Sequence, residues 1–216
     1  MLTRRHFLTV AAAVLGTGLA GCSNSRSQAT DQPAGSAASA GSAGSAAEST
    51  ADSTTTASGN VFVAYFSATG NTAGVASELA DHLGADVFEI TPSEPYTADD
   101  LNYNDSGSRT SVERAEDARP ELAQATPDGF DAYDTVFVGY PIWWGDAAWP
   151  VKTFAEGNDF SGKTVVPFCT SASSGIGGSG DELAALAGTG SWVAGERFAA
   201  GASADEVASW ADGLTL

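Results

Sequence analysis

The sequence predicts an α/β domain of the doubly wound, three-layer kind. Its core is a five-stranded parallel sheet in the order 2-1-3-4-5, with helices on both faces. Three observations carry this expectation. Strand-like and helix-like segments alternate from residue 60 to the C-terminus. Three strand-like segments are almost wholly apolar, as strands covered on both faces are: Val61-Phe-Val-Ala-Tyr-Phe66, Thr135-Val-Phe-Val-Gly-Tyr140 and Thr164-Val-Val-Pro-Phe-Cys169. Two others, Asp86-Val-Phe-Glu-Ile90 and Ser191-Trp-Val-Ala-Gly-Glu-Arg-Phe198, mix polar and apolar residues, as edges do. The stated order puts the first, third and fourth strands in the centre and the other two at the edges.

The first strand runs directly into Ser67-Ala68-Thr69-Gly70-Asn71-Thr72, and a helical pattern follows. A tight loop at a helix N-terminus leaves backbone N–H groups free at the positive end of the helix dipole, which makes an anion site. Ser67, Thr69, Asn71 and Thr72 add side-chain donors there, and Gly70 permits positive φ. The loop lacks the Lys of a nucleoside-triphosphate loop and is not a dinucleotide G-x-G-x-x-G. Donors without a cation suit one terminal phosphate.

The following helix has one apolar face, Val75, Ala76, Leu79, Ala80 and Leu83, and ends at Gly84. His82 falls off that face and is expected in solvent. The connection over residues 92–134 is long and should hold short helices near 97–101 and 111–117. Pro167 is unusual in a central strand, so it must lie where an N–H is not needed. The last helix should start at Ser203, with Asp205 and Glu206 in its first turn, and stop at Gly213.

Residues 1–59 read differently. Thr3-Arg-Arg-His-Phe-Leu8 resembles a twin-arginine export signal, and the apolar stretch after it is too short and too rich in Gly and Ala to cross a membrane. Leu19-Ala-Gly-Cys22 resembles a lipoprotein cleavage box, which would make Cys22 a lipidated N-terminal residue anchoring the protein to the membrane. Residues 1–22 are therefore expected to be a signal. Residues 23–59 are Ser, Ala, Gly and Thr with few other types and are expected to be a disordered tether spanning roughly 35 Å. Residues 60–216 form the domain. All but three of the 27 acids (Asp31, Glu48 and Asp52 lie outside) and six of the nine bases fall in it, leaving it at −18. That charge argues against nucleic-acid binding. It serves solubility, or steering toward a basic partner.

In an open α/β sheet ligands bind beyond the carboxyl ends of the strands, where strand order reverses. Beyond the third strand stand Pro141, Ile142, Trp143, Trp144 and Gly145, two adjacent indoles that could form a flat wall. Packing under the next helix is the alternative for one of them. Beyond the fourth strand stand Thr170, Ser171, Ala172, Ser173, Ser174 and Gly175, small residues that let backbone groups approach a polar edge.

These segments resemble the flavodoxin family, in the branch with G-Y-P-I-W-W-G and T-S-x-x-S-G-I-G segments, over essentially all of residues 60–216. Flavodoxins are themselves the standard example of the 2-1-3-4-5 order. The resemblance implies flavin mononucleotide (FMN) as cofactor. Ser67, Ala68, Thr69, Gly70, Asn71 and Thr72 would hold its phosphate, Pro141 to Gly145 would line the ring, and Thr170 to Gly175 would meet the ring's edge. Tyr103 and Arg109 could border the exposed side, Arg109 alternatively pairing with a neighbouring acid.

No Ser/His/Asp triad, His/Cys metal cluster or C-x-x-C pair is legible in the sequence. Cys169 reads as a small buried apolar residue. The chemistry the resemblance implies is redox chemistry at bound FMN, outside the cytoplasmic membrane, with a partner redox protein or a small-molecule electron acceptor. Electron carriage is the first expectation. Reduction of small molecules such as quinones is the second, and a flavin-less surface binding domain the third.

Overall fold

The computed structural model describes residues 60–216. The signal, the tether and Cys22 lie outside the described residues. Within them the chain forms β1 (Val61–Tyr65), α1 (Asn71–Leu83), β2 (Asp86–Glu89), α2 (Arg109–Ala115), a 3-10 turn (Phe130–Ala132), β3 (Thr135–Trp143), β4 (Asp146–Ala147), α3 (Trp149–Gly157), β5 (Thr164–Thr170), α4 (Ser179–Ala187), β6 (Ser191–Trp192), β7 (Glu196–Phe198) and α5 (Ala204–Asp212). The sheet order is β2-β1-β3-β5-β6, with β7 also on β5 and the short β4 folded back on β3. Every pairing is parallel except β3–β4. This is the expected doubly wound order. No helix among the described residues is long and apolar enough to cross a membrane.

Strand periodicity divides the core into two. Phe62, Ala64, Val136, Val138, Tyr140, Val165 and Cys169 face one side and pack with Val151, Phe154 and Leu183 of α3 and α4. Val63, Phe137, Val166 and Phe168 face the other and pack with Val75, Leu79 and Val207 of α1 and α5. Alternate residues of one strand therefore serve opposite layers. Each fully buried Val, Leu or Phe contributes about 1.5–3 kcal/mol of transfer free energy. Gly139 is demanded by a close approach: a Cβ there would lie 2.2 Å from Phe168 Cζ.

Several elements depart from the sequence expectation. The fifth strand breaks into β6 and β7, and that break accommodates Pro167. Val165 O accepts from Val193 N at 3.0 Å on this side of β5. By alternation the Pro167 nitrogen faces the same side, between the end of β6 and the start of β7. Residues 97–101 form a single turn instead of a helix: Leu101 N–H reaches Thr97 O at 3.2 Å, and the Asp100 carboxylate accepts from Thr97 N and Oγ1, both at 2.8 Å. Asp100 N donates back to Thr97 Oγ1 at 3.2 Å, the reciprocal pattern of a helix start, but the segment stops after one turn, where Asn102 N bonds Asp99 O at 3.2 Å. The second short helix begins at Arg109, two residues early, because Ser108 caps it by accepting from Ser111 N at 3.4 Å. β3 continues three residues past Tyr140. α1 and α5 lie as expected: Gly84 N–H closes α1 onto Ala80 O, and Ser203 caps α5 through Glu206 N at 3.3 Å. His82, expected in solvent, stays on the surface but meets Asp212 of α5 at 2.8 Å.

Candidate functional site

β1 leads to α1 on one face of the sheet, and β3 leads to α3 on the other. The gap between their carboxyl ends is the switch point of the fold. A cavity of about 460 Å³ opens there, a size that suits a small-molecule ligand. Its lining comes from three stretches: Ala68 and Thr69 after β1; Pro141, Ile142, Trp143 and Trp144 at the end of β3; and Leu101, Tyr103 and Thr110 of the long connection. A second cavity, of about 300 Å³, sits at the amino ends of β1 and β2 around Asn60 and Asp86.

The first loop has the chemistry of an anion cradle. Gly70 takes φ 87° and starts α1 with no side-chain cap, so the first-turn N–H groups keep their capacity for an acceptor. Ser67 Oγ accepts from Gly70 N at 3.1 Å, and Asn71 Nδ2 donates to Thr69 Oγ1 at 3.2 Å. Thr69, Gly70 and Asn71 are exposed. Thr72 is buried, its hydroxyl 2.8 Å from Thr170 Oγ1. That bond ties the first loop to the end of β5. The donor set fits a single phosphate: backbone N–H groups, hydroxyls and an amide, with the dipole of a 13-residue helix behind them.

The wall is a β-hairpin. β3 and β4 pair through Ile142–Ala147 and Trp143–Asp146, leaving Trp144-Gly145 as a two-residue turn. Both turn residues have positive φ, 51° at Trp144 and 92° at Gly145, the signature of a type I′ turn that ordinarily takes Asn-Gly. A bulky residue there costs about 1–2 kcal/mol, and such strain gathers at functional sites. The two indoles divide the roles foreseen for them. Trp143 is wedged edge-on among Phe66, Tyr96 and Trp149. Trp144 remains 37% exposed at the rim, stacked on Trp149 at 6.1 Å and 13°, with the Arg114 guanidinium 5.3 Å from its ring.

Behind the hairpin a buried cation on α3 joins β4 to α4. Lys152 of α3, 3% exposed, donates to Asp146 Oδ2 at 2.6 Å and Glu182 Oε1 at 3.1 Å. Burial alone would lower the Lys152 pKa, but its two carboxylate bonds outweigh that and hold it above the ordinary value. Burial would likewise raise Asp146, yet bonds from Glu182 and Lys152 keep it below. The bond to Asp146, and then burial, raise Glu182. A carboxyl whose pKa is raised and one whose pKa is lowered thus share the ammonium.

The connection supplies the remaining rim. Tyr103 is 71% exposed at the cavity. Arg109 does not line it. Its Nε donates to Glu113 at 2.7 Å, its Nη1 to Glu94 O at 2.7 Å, and its guanidinium covers Tyr96 at 4.2 Å. Tyr96 donates to the same Glu113 at 2.6 Å. Burial, followed by that bond, raises the Tyr96 pKa. The stretch after β5 stands outside the cavity lining. Thr170 is buried against Thr72. Ser171 donates through Oγ to Ser174 O, and Ala172, Ser173, Ser174 and Gly175 are exposed. Cys169 is buried, and burial pushes its thiol up to about 12.

Sequence reasoning missed four contributors. Leu101 and Thr110 belong to stretches that recur in the resembling branch, but the resemblance assigns them no role, and they reach the cavity because the connection folds back over it. Lys152 could have been noticed as a lone base among Val151, Phe154 and Ala155. Arg197 of β7 could have been noticed as a base in an edge strand. Its Nε donates to Ser171 Oγ at 3.1 Å, and its Nη2 to Ser171 O at 2.6 Å and Ala172 O at 3.1 Å.

Among solved structures, the chain is 40% identical to a protein of Bacteroides eggerthii classed as a flavoprotein, over 71% of this chain and 96% of that one, with a TM-score of 0.66. It is 42% identical to a counterpart from Bacteroides uniformis, over 71% and 97%, again with a TM-score of 0.66. A Lactobacillus acidophilus flavoprotein in complex with FMN shares the fold at 20% identity and a TM-score of 0.52, over 64% and 93%. No curated protein matches the chain. The family model described as Flavodoxin matches residues 60–214. With that match, and with two relatives at 40% identity or more, the chain belongs to the flavodoxin family.

Proposed function

We propose that the domain binds FMN and that the protein transfers electrons through it outside the cytoplasmic membrane, held there by a lipid on Cys22. The observation that carries the first part is the single cavity shared by an uncapped helix N-terminus and a strained indole hairpin. In this reading the first-turn N–H groups of α1, with Thr69 and Asn71, hold the phosphate. Trp144 and Ile142 exclude water from one side of the ring. Thr72 and Thr170 fix the spacing of the loops from beneath. Bound FMN would supply one- and two-electron redox chemistry. The net charge of −18 over residues 60–216 favours a redox partner with a basic docking face.

A second reading is reduction of small molecules such as quinones. It is favoured by Leu101 and Tyr103, which line the same cavity beyond the hairpin and offer apolar surface to a planar acceptor. The visible spectrum of the full chain, before and after adding FMN, tests the cofactor. Flavin bands with fluorescence quenched by Trp144 are expected. A colourless protein indifferent to added FMN overturns the proposal.

A further inference from the structure

We propose that Arg197 is the positioning residue of the stretch after β5, and that its charge selectively stabilises the reduced cofactor against the negative background of the domain. The inference rests on the FMN reading above. The six bases of the described domain are unequally placed. Arg109, Arg119 and Lys152 sit in ion pairs, whereas among the described residues Arg114, Lys163 and Arg197 have no carboxylate partner within 4.0 Å; Arg114 lies over the Trp144 ring and Lys163 bonds the carbonyls of Asp131 and Tyr133. Of these three bases, Arg197 is the one that bonds the loop after β5.

What Arg197 contacts instead is one loop. It stands opposite Cys169 in the β5–β7 register, at the carboxyl end of the sheet. Its fork takes Ser171 Oγ, Ser171 O and Ala172 O together. Ser171 N–H is meanwhile donated to Phe198 O at 3.2 Å, and Ser171 Oγ reaches Ser174 O. Every polar group of Ser171 thereby has a partner within the protein, and Ser171 shapes the loop. With two successive carbonyls turned onto Arg197, the loop presents fewer bare acceptors to a ligand that gains negative charge on reduction. The loop runs on from Thr170, which is bonded to Thr72 of the phosphate cradle, so the guanidinium is attached to the site by a short rigid path. A planar fork with a permanent charge suits this double task, and a Lys ammonium would supply only the charge.

The test is the dissociation constant of FMN in its oxidised and reduced forms for the full chain, R197Q and R197K, together with the midpoint potential of each complex. For R197Q we expect oxidised FMN to bind a few-fold more weakly, and reduced FMN to lose about tenfold more than that. The two-electron potential then falls by about 30 mV. R197K should keep the parental potential while losing the few-fold in oxidised affinity. If R197Q does not fold, R197K alone decides the positioning claim. A parental potential in R197Q with FMN bound, or parental affinity in R197K, overturns the proposal. Failure of the parent chain to bind FMN is a separate result, which removes the cofactor reading itself.

Discussion

Replacing Lys152 by Met keeps the volume and shape of the side chain and deletes only the ammonium. The structure gives the expected magnitude. The Lys152 side chain is 4% exposed, while Asp146 and Glu182 are 28% and 47% exposed. Breaking a wholly buried ion pair costs about 3–5 kcal/mol. The carboxylates here retain some water, which screens them, so K152M should lose about 2 kcal/mol at pH 7. For a domain of this size that lowers Tm by roughly 4–8 °C. The loss should depend on pH with a definite sign. The native Asp146 pKa is depressed, so its contribution is present above its unfolded value near about 4 and disappears as pH falls through the native pKa. Glu182, raised in the native protein, is stabilising in its protonated form at low pH. The gap between parent and variant should therefore shrink from pH 7 toward pH 3. Urea unfolding across that range measures it, and K152M/D146N/E182Q should recover most of the loss. Equal stability of parent and K152M at pH 7, or a gap that widens in acid, refutes the argument.

Two further substitutions probe the site and the sheet. Trp144→Asn relieves the positive-φ strain, about 1–2 kcal/mol, and gives up an aromatic stack worth about 0.5–1.5 kcal/mol. Its urea midpoint should therefore stay near the parental value while FMN affinity falls at least about tenfold. Gly139→Ala drives a methyl group into the Phe168 ring and should cost about 1–3 kcal/mol in urea unfolding. G139A/F168L should recover part of that loss by removing the ring.

Much of the fold is legible in the chain because local rules agree with the global solution. The apolar runs at 61–66, 135–140 and 164–169 can be satisfied only in a strand covered on both faces, and the mixed segments at 86–90 and 191–198 fall to the edges. The loop between β1 and α1 is legible for the same reason. A buried strand, a run of small and hydroxylated residues and an apolar helix face must follow one another there. Pro167 shows in the sequence only that its position needs no donor; the break between β6 and β7 that meets this requirement is visible only in the structure.

Long-range contacts decided the rest. The Trp143-Trp144 pair announces a wall, but which indole is wedged and which is exposed depends on Phe66, Tyr96 and Trp149 arriving from three other elements. Residues 97–101 carry a helical pattern and Thr97 and Asp100 bond reciprocally as at a helix start, yet the segment stops after one turn, with Asn102 N on Asp99 O, too short to propagate. Arg109 could have faced the cavity or an acid, and the choice fell to Glu113 one turn away, with Glu94 O and the Tyr96 ring completing its contacts. Lys152 and Arg197 look like ordinary bases in sequence. They become structural keys only when a hairpin, a helix and an edge strand converge, because a charge acquires its meaning from neighbours that chain order does not specify. The sequence by itself determined the layers, the strand order and the place where a phosphate could dock. Only the tertiary structure decided which side chains enclose that place and which hold it in shape.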